Sequence, residues 1–172
     1  EDSVMVDQWF ASQLTETALV PVPEIAVGRL PAWNREELVT MVGKTLAYEQ
    51  AVAGPWASRS IVVADSTDQT LFESYASMLQ EKLALRWSDT ITVHVRTNSP
   101  AFRTREEFRQ LWNEGSAIIN LAGHASGEKF SPAHYFTSKD VDSLASGSPL
   151  PLFLLLGPQR FEEADSVCIA VA

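Results

Sequence analysis

The chain contains, at residues 117–126, the stretch Ala117-Ile118-Ile119-Asn120-Leu121-Ala122-Gly123-His124-Ala125-Ser126. Its first half, residues 117–121, is an apolar run of the length typical of buried parallel strands. Its second half is a loop of small residues that would let the backbone of a ligand approach His124 closely. The stretch therefore predicts a buried strand that presents a histidine at its carboxyl end.

Other apolar runs of similar length recur along the chain, at residues 61–64, 91–95 and 152–156. Strands that alternate with helices indicate an α/β sandwich with a mainly parallel sheet, and such folds bind ligands beyond the carboxyl ends of the strands. Three loops follow these ends, at residues 65–68, 123–131 and 157–165. We expect the functional site among these loops.

Helix patterns separate the apolar runs, at residues 34–53, 68–83 and 104–115. The first follows Asn34 with Glu37 three residues later, and the third follows Thr104 with Glu107, which is the spacing of a capping box. The first helix is predicted to carry one apolar face, formed by Leu38, Val42 and Leu46. A short helical turn is predicted after Ser138.

The charge balance argues against a nucleic-acid partner. The chain has 22 acidic and 13 basic residues among 172, a formal net charge of −9. Proteins that bind nucleic acids usually need a clustered basic face to contact phosphates. No apolar run reaches the roughly 18 to 20 residues that a membrane span requires. We therefore expect neither a nucleic-acid partner nor a membrane span.

The domain organisation is predicted to be simple. Residues 21–172 form the main domain, and residues 1–20 are a loosely assigned segment that could belong to a neighbouring lobe. Because the chain begins at Glu1 without an initiator methionine, it is interpreted as a mature product or a piece of a larger protein. Its single cysteine, Cys168, excludes an intrachain disulfide framework and a multi-cysteine metal site.

His124 is the candidate general base. A histidine can take a proton near neutral pH, and it needs a second group to hold its tautomer. Asp65 and Asp68 follow another strand and are the candidates for that group. The alternative is that His124 is a hydrogen-bonded loop residue and that both aspartates only cap the following helix. His94 and His134 are predicted to have structural roles.

No cofactor is predicted, although one acidic group has oxygen ligands that could suit calcium. Three of its members lie in the loop at residues 157–165, and two follow the helical turn predicted after Ser138: Glu162, Glu163 and Asp165, with Asp140 and Asp142. Their spacing does not match an EF-hand loop, so a solvated acidic surface is the favoured interpretation. Nucleotide binding has little support, because the glycines at 123 and 127 lack a third glycine and a Lys-Ser/Thr ending.

Several segments of the chain match, in order, the pattern of one known protein family. The first is Pro23-Glu24-Ile25-Ala26-Val27-Gly28-Arg29-Leu30-Pro31, followed by a helix that ends in Tyr48-Glu49, and it is similar to a PDIAIGRLP-like strand and a Tyr-Glu helix. Val62-Val63-Ala64-Asp65 resembles the next strand, residues 120–126 a Gly-His-Gly-Ser loop, and residues 150–153 the strand before a catalytic cysteine. Over residues 21–172 these segments together resemble the catalytic domain of the gingipain family of cysteine peptidases.

The resemblance implies a caspase-like three-layer α/β/α fold and a protein secreted by a bacterium or held on its surface. It also implies a Cys-His dyad that cuts peptide bonds through a thioester, and therefore a peptide or protein as the ligand. His124 matches the family's catalytic histidine, and Asp65 lies near the position of its acidic partner.

The family's nucleophile would follow residues 152–156 in an Ala-Cys pair, where this chain has Gly157 and Pro158. Proline has no thiol and no backbone N–H to lend to an oxyanion hole. The loop is also about two residues short before Phe161. Ala125 replaces the glycine after the histidine, which would crowd the other oxyanion donor. The resemblance therefore predicts a peptidase fold without its nucleophile.

Cys168 lies in a segment, residues 166–170, that resembles the helix after the catalytic loop, and its apolar neighbours favour a buried, unreactive thiol.

Three hypotheses follow from the sequence as a whole. The first is an inactive gingipain-like domain that serves as a binding or scaffold module. The second is an active cysteine endopeptidase that uses His124 with Cys168 or with a cysteine outside this chain. The third is an unrelated α/β domain that binds a small ligand.

Overall fold

The computed structural model describes residues 30, 32–68, 71–126, 129–141, 143–144, 150–156 and 170–171. The chain divides into two compact units, Glu1–Gly43 and Lys44–Ala172. The predicted division between residues 1–20 and 21–172 stays a prediction.

The larger unit is built on one five-stranded sheet. Its strands are β1 (Arg59–Ala64), β2 (Asp89–His94), β3 (Ile118–Ala122), β7 (Leu152–Leu156) and β8 (Ala170–Val171). Their order is β2-β1-β3-β7-β8. Neighbouring strands are parallel except for β7 and β8, which pair antiparallel at one edge of the sheet. The predicted mainly parallel sheet is therefore confirmed, with the predicted apolar runs shifted by at most two residues.

Helices cover both faces of this sheet, because successive strand residues point to opposite sides. On one face Ile61 and Val63 pack in a cluster with Phe108 and Trp112 of α3 (Arg105–Glu114). On the other face the alternate strand residues pack with Phe72 and Ala76 of α2 (Leu71–Leu83). The result is a three-layer α/β/α arrangement, as the resemblance implies.

The helix starts follow the predicted capping signals. Thr104 Oγ1 accepts a hydrogen bond from the Glu107 backbone N–H at 3.2 Å, and Glu107 Oε2 accepts one from the Thr104 N–H at 2.7 Å. This is a complete capping box at α3. Helix α1 (Arg35–Gln50) begins after Asn34, whose Oδ1 accepts from the Glu37 N–H at 2.9 Å. Sequence signals therefore position both helix starts correctly.

The predicted apolar face of α1 is present but is not buried. Leu38, Val42 and Leu46 are 42%, 40% and 49% exposed, and the helix buries none of its residues. Helical periodicity identifies a face, and burial depends in addition on what packs against it.

A second, antiparallel sheet follows β3 directly. Its three strands are β4 (Ala125–Ser126), β5 (Lys129–Phe130) and β6 (Phe136–Thr137), and α4 (Ser138–Val141) comes next. The ring of Phe136 stacks on Trp112 of α3 at 5.2 Å between centroids. This small sheet was not predicted, because two-residue strands leave no periodicity to detect. It fixes the residues that follow His124.

The sequence interpretation of residues 166–170 as helical is wrong at its last residue. Ala170 lies in β8 and pairs with Phe153 of β7. Cys168 itself lies outside the described residues. No helix in the described part of the chain combines the length and apolar character that a membrane span requires.

Candidate functional site

The candidate site lies where β1 and β3 end at the same edge of the sheet. Ala64 pairs with Ala122, and Ala122 pairs with Leu156 of β7, so the three strands finish in register. The backbone N–H of Asp65 extends the pairing by donating to the Ala122 carbonyl at 2.8 Å. Asp65 and His124, each just beyond its strand, are brought together by this topology.

The carboxylate of Asp65 is the buried centre of the site. Asp65 is fully buried, and each of its oxygens accepts two hydrogen bonds. Oδ1 accepts from the Ser66 N–H and the Ser131 hydroxyl, both at 2.6 Å. Oδ2 accepts from the Thr67 hydroxyl at 2.5 Å and from the His124 backbone N–H at 3.2 Å. The carboxylate thus ties together the ends of two strands and the small antiparallel sheet.

These contacts keep Asp65 ionised despite its burial. Burial alone raises the pKa of a carboxyl group because it disfavours the charged form. The hydrogen bonds from Ser131, Thr67, Ser66 and His124 outweigh that effect, so the pKa of Asp65 lies below its ordinary value. The site therefore contains a fixed negative charge near the histidine.

The imidazole of His124 faces this charge through a hydroxyl group. Its Nδ1 lies 2.8 Å from Thr67 Oγ1 and 3.5 Å from Asp65 Oδ2. The Phe72 ring meets the imidazole edge to face, with centroids 5.2 Å apart and an interplanar angle of 89°. The His124 side chain remains 45% exposed. The ring is thus held on one side and open to a ligand on the other, as general-base chemistry would require.

Sequence reasoning named Asp65 and His124 and missed Thr67 and Ser131. Thr67 had only a general local signal, because Asp and Thr side chains in turns often form short-range hydrogen bonds. Ser131 had none, since it is 66 residues from Asp65 and reaches it only through the small sheet. Asp68 is exposed, and its backbone carbonyl accepts from the Phe72 N–H at 3.3 Å. The catalytic roles assigned to His124 and Asp65 stay predictions.

Gly123 allows the two loops to approach each other. A Cβ at this position would lie 2.2 Å from Asp65 Cβ and 3.1 Å from Phe130 Cε2. The first of these distances is far below van der Waals contact, and it involves an atom next to the backbone. Only glycine fits between β3 and Asp65 without displacing one of them.

We predict that Gly123→Ala lowers the free energy of unfolding by about 1–3 kcal/mol, as overpacking typically does. Urea unfolding followed by circular dichroism measures the change. Gly43→Ala is the matched control, because a Cβ there meets nothing within 4 Å. That helical replacement should be neutral or stabilising by up to about 1 kcal/mol. Equal stability of Gly123→Ala and the unmodified chain would contradict the close approach.

The other two histidines have separate partners. His94 Nδ1 lies 2.6 Å from Ser99 Oγ. Burial lowers the pKa of His94, with Glu73 acting in the opposite direction and Arg96 in the same one. His134 Nε2 lies 3.0 Å from Lys129 Nζ. Both arrangements agree with the structural roles predicted for these residues.

The acidic group proposed for calcium is only partly described. Asp140 is buried and pairs with Arg105, its two carboxylate oxygens each 2.6 Å from Arg105 Nη2. It also accepts from the backbone N–H and the hydroxyl of Thr137 at 2.8 and 2.7 Å. These contacts already use its oxygens. Its predicted companions lie outside the described residues: Asp142, Glu162, Glu163 and Asp165. Within the described ranges, no group of three metal-binding side chains occurs.

The predicted nucleophile region is likewise outside the described part. Strand β7 ends at Leu156, and the sequence continues with Gly157 and Pro158, neither of which the structure describes. The prediction that His124 faces the loop beginning at Gly157 therefore stays a prediction.

An open, largely apolar cavity of about 160 Å³ lies on the α3 side of the sheet, whereas the Phe72 ring that contacts His124 belongs to the cluster on the α2 side. Its apolar lining comes from β3, β7 and the small sheet: Leu121, Ala125, Phe130, Phe136, Phe153 and Leu155. Sites for whole small molecules usually measure about 300–1,000 Å³. The cavity is thus of a size to accept a single apolar side chain.

Comparison with protein-family models matches residues 2–169 to the model described as Peptidase family C25. Comparisons with curated proteins and with solved structures gave no match.

Proposed function

Since the chain belongs to peptidase family C25, the gingipain family of cysteine peptidases, we propose that it is a peptidase domain that binds peptides without cleaving them. Family membership excludes the hypothesis of an unrelated α/β domain. The α/β fold agrees with the caspase-like architecture of that family. What remains to be argued is the loss of activity and the nature of the ligand.

The observation that carries the proposal is the identity of the two residues that follow β7 in the sequence. Because Ala122 and Leu156 are paired in parallel register, the chain leaves β7 at the same sheet edge from which His124 follows β3. There the sequence has Gly157 and Pro158 in place of a thiol. A histidine base without a nucleophile cannot form a thioester.

The expected loss of rate has two parts. Without a thiolate, covalent catalysis is absent, and the base could act only on water. Because proline has no backbone N–H, the oxyanion also loses one hydrogen-bond donor, which costs roughly 10² to 10³ in rate. Together these losses leave little hydrolysis to detect.

The proposed ligand is a peptide or an extended protein segment. The half-exposed His124 could contact the backbone of the peptide, and the cavity on the α3 side of the sheet is of a size for one apolar side chain. Family membership supports a location outside a bacterial cell, secreted or on its surface.

We predict that the purified chain does not cleave a peptide library that offers every residue before the scissile bond, and that it reacts slowly with an iodoacetamide probe. Mass spectrometry of the library detects cleavage. His124→Ala and Cys168→Ala are tested in parallel.

Cleavage that both substitutions abolish would mean that the active site uses Cys168, and the proposal would be wrong. The same library, without cleavage, supplies the binding test. Peptides retained by the unmodified chain and lost by His124→Ala would support a binding role. Retention of no peptide would contradict it.

A further inference from the structure

The hydroxyl of Thr67 lies between the Asp65 carboxylate and the His124 imidazole. Thr67 Oγ1 is 2.5 Å from Asp65 Oδ2 and 2.8 Å from His124 Nδ1. Asp65 Oδ2 itself is 3.5 Å from His124 Nδ1, which is longer than the usual 2.7–3.2 Å of an N–H···O bond. The carboxylate therefore reaches the ring mainly through the hydroxyl group.

The protons in this chain of groups can be assigned by counting. An ionised carboxylate only accepts hydrogen bonds, so the single hydroxyl hydrogen of Thr67 is directed to Asp65 Oδ2. Thr67 Oγ1 then has only lone pairs to offer to His124. The short contact to Nδ1 is satisfied when Nδ1 carries the proton and donates it to Oγ1.

The opposite assignment is less favourable. If Nδ1 had no proton, the Thr67 hydroxyl would have to donate to the ring and would abandon Asp65 Oδ2. That oxygen would keep only the His124 backbone N–H at 3.2 Å. A bond to a charged acceptor would be exchanged for one between neutral groups, and charge-assisted bonds are roughly twice as strong.

We propose that Thr67 is a positioning residue that holds His124 in the tautomer with its proton on Nδ1, leaving Nε2 as the free proton acceptor. The proposal rests on the proposed function in one respect, that His124 is the histidine of the site. The Phe72 ring supports the arrangement by limiting rotation of the imidazole. Thr67 acts here through His124 and requires no contact with a ligand.

The test is a tautomer measurement on the full chain without ligand. Nitrogen NMR of ¹⁵N-labelled imidazole distinguishes protonated from unprotonated ring nitrogens, at about pH 8, where an ordinary imidazole is neutral. Thr67→Val removes the hydroxyl and keeps the shape, and Thr67→Ser keeps the hydroxyl. His124→Gln assigns the signal. His94 and His134 report on unintended changes in the same spectra.

We expect the unmodified chain and Thr67→Ser to show mainly the Nδ1–H form of His124. In Thr67→Val, the ratio of Nδ1–H to Nε2–H should fall at least about fivefold, as expected for the loss of one hydrogen bond. The signals of His94 and His134 should not move. A main Nε2–H form in the unmodified chain would overturn the proposal.

An unchanged ratio in Thr67→Val would also overturn it, because Asp65 would then hold the ring directly. If Thr67→Val fails to fold, the spectra of the unmodified chain and Thr67→Ser still decide the assignment. Peptide cleavage does not enter these measurements. A failure here is therefore distinguishable from a failure of the proposed function.

Discussion

Replacing Asp65 with alanine is expected to lower the free energy of unfolding by about 2–5 kcal/mol. The carboxylate is fully buried and accepts four hydrogen bonds. Its removal leaves the buried Ser131 hydroxyl and the part-buried His124 N–H without this partner, whereas the exposed Thr67 hydroxyl can turn to water. Urea unfolding of both proteins measures the difference.

Asp68→Ala is the control for this substitution. Asp68 carries the same charge three residues later and is exposed, so its replacement should change stability by no more than about 0.5 kcal/mol. Equal effects of the two substitutions would show that Asp65 contributes only its charge. The structural role given to its hydrogen bonds would then be wrong.

The contribution of Asp65 should also depend on pH. Its pKa is lower in the folded chain than the ordinary value of about 3.9 expected in the unfolded chain. The stabilisation is then fully present above about pH 4 and is lost as the pH falls through the lower folded-state pKa. The difference between the unmodified chain and Asp65→Ala should therefore shrink in that acid range.

Replacing Phe108 with alanine is expected to cost about 3–5 kcal/mol, the range found for large aromatic residues in cores. Phe108 is fully buried in α3, and its ring lies 5.6 Å from that of Tyr135 and 5.7 Å from that of Phe136. The substitution leaves a cavity between α3 and the small sheet. Because that sheet carries Ser131, support for the Asp65 carboxylate should weaken as well.

Denaturant unfolding of Phe108→Ala gives the magnitude, and Leu85→Ala provides the control. Leu85 is 81% exposed, so its loss should change stability by no more than about 0.5 kcal/mol. A cost below about 1 kcal/mol for Phe108→Ala would mean that the core collapses around the gap. The aromatic cluster would then not be what holds the small sheet in place.

The sheet and the meeting of Asp65 with His124 could be predicted from the sequence, because both follow from local patterns. Apolar runs of strand length identified β1, β2, β3 and β7. Parallel strands end at one edge, so the residues after β1 and β3 were expected in one group of loops, and their direct contact follows from the adjacency of the two strands in the observed order. The prediction needed no knowledge of any side-chain contact.

The detailed hydrogen bonding of the site could not be predicted in this way. Ser131 reaches Asp65 only because two-residue strands fold the chain back, and such strands carry no hydrophobic period. The exposure of Leu38 on α1 is a similar case, since a pattern defines a face but not its partner. Contacts between distant segments depend on packing that a single pattern does not contain.

The strand order has a consequence for how the protein acquires its site. β1 and β3 are adjacent in the sheet, although one strand and two helices separate them along the sequence. The hydrogen bond from the His124 backbone N–H to Asp65 joins residues that are 59 positions apart. Chains dominated by such non-local pairings fold more slowly than helical bundles, because loop entropy is lost before the contacts form. The site is thus a product of completed folding: no short fragment containing His124 alone can assemble it.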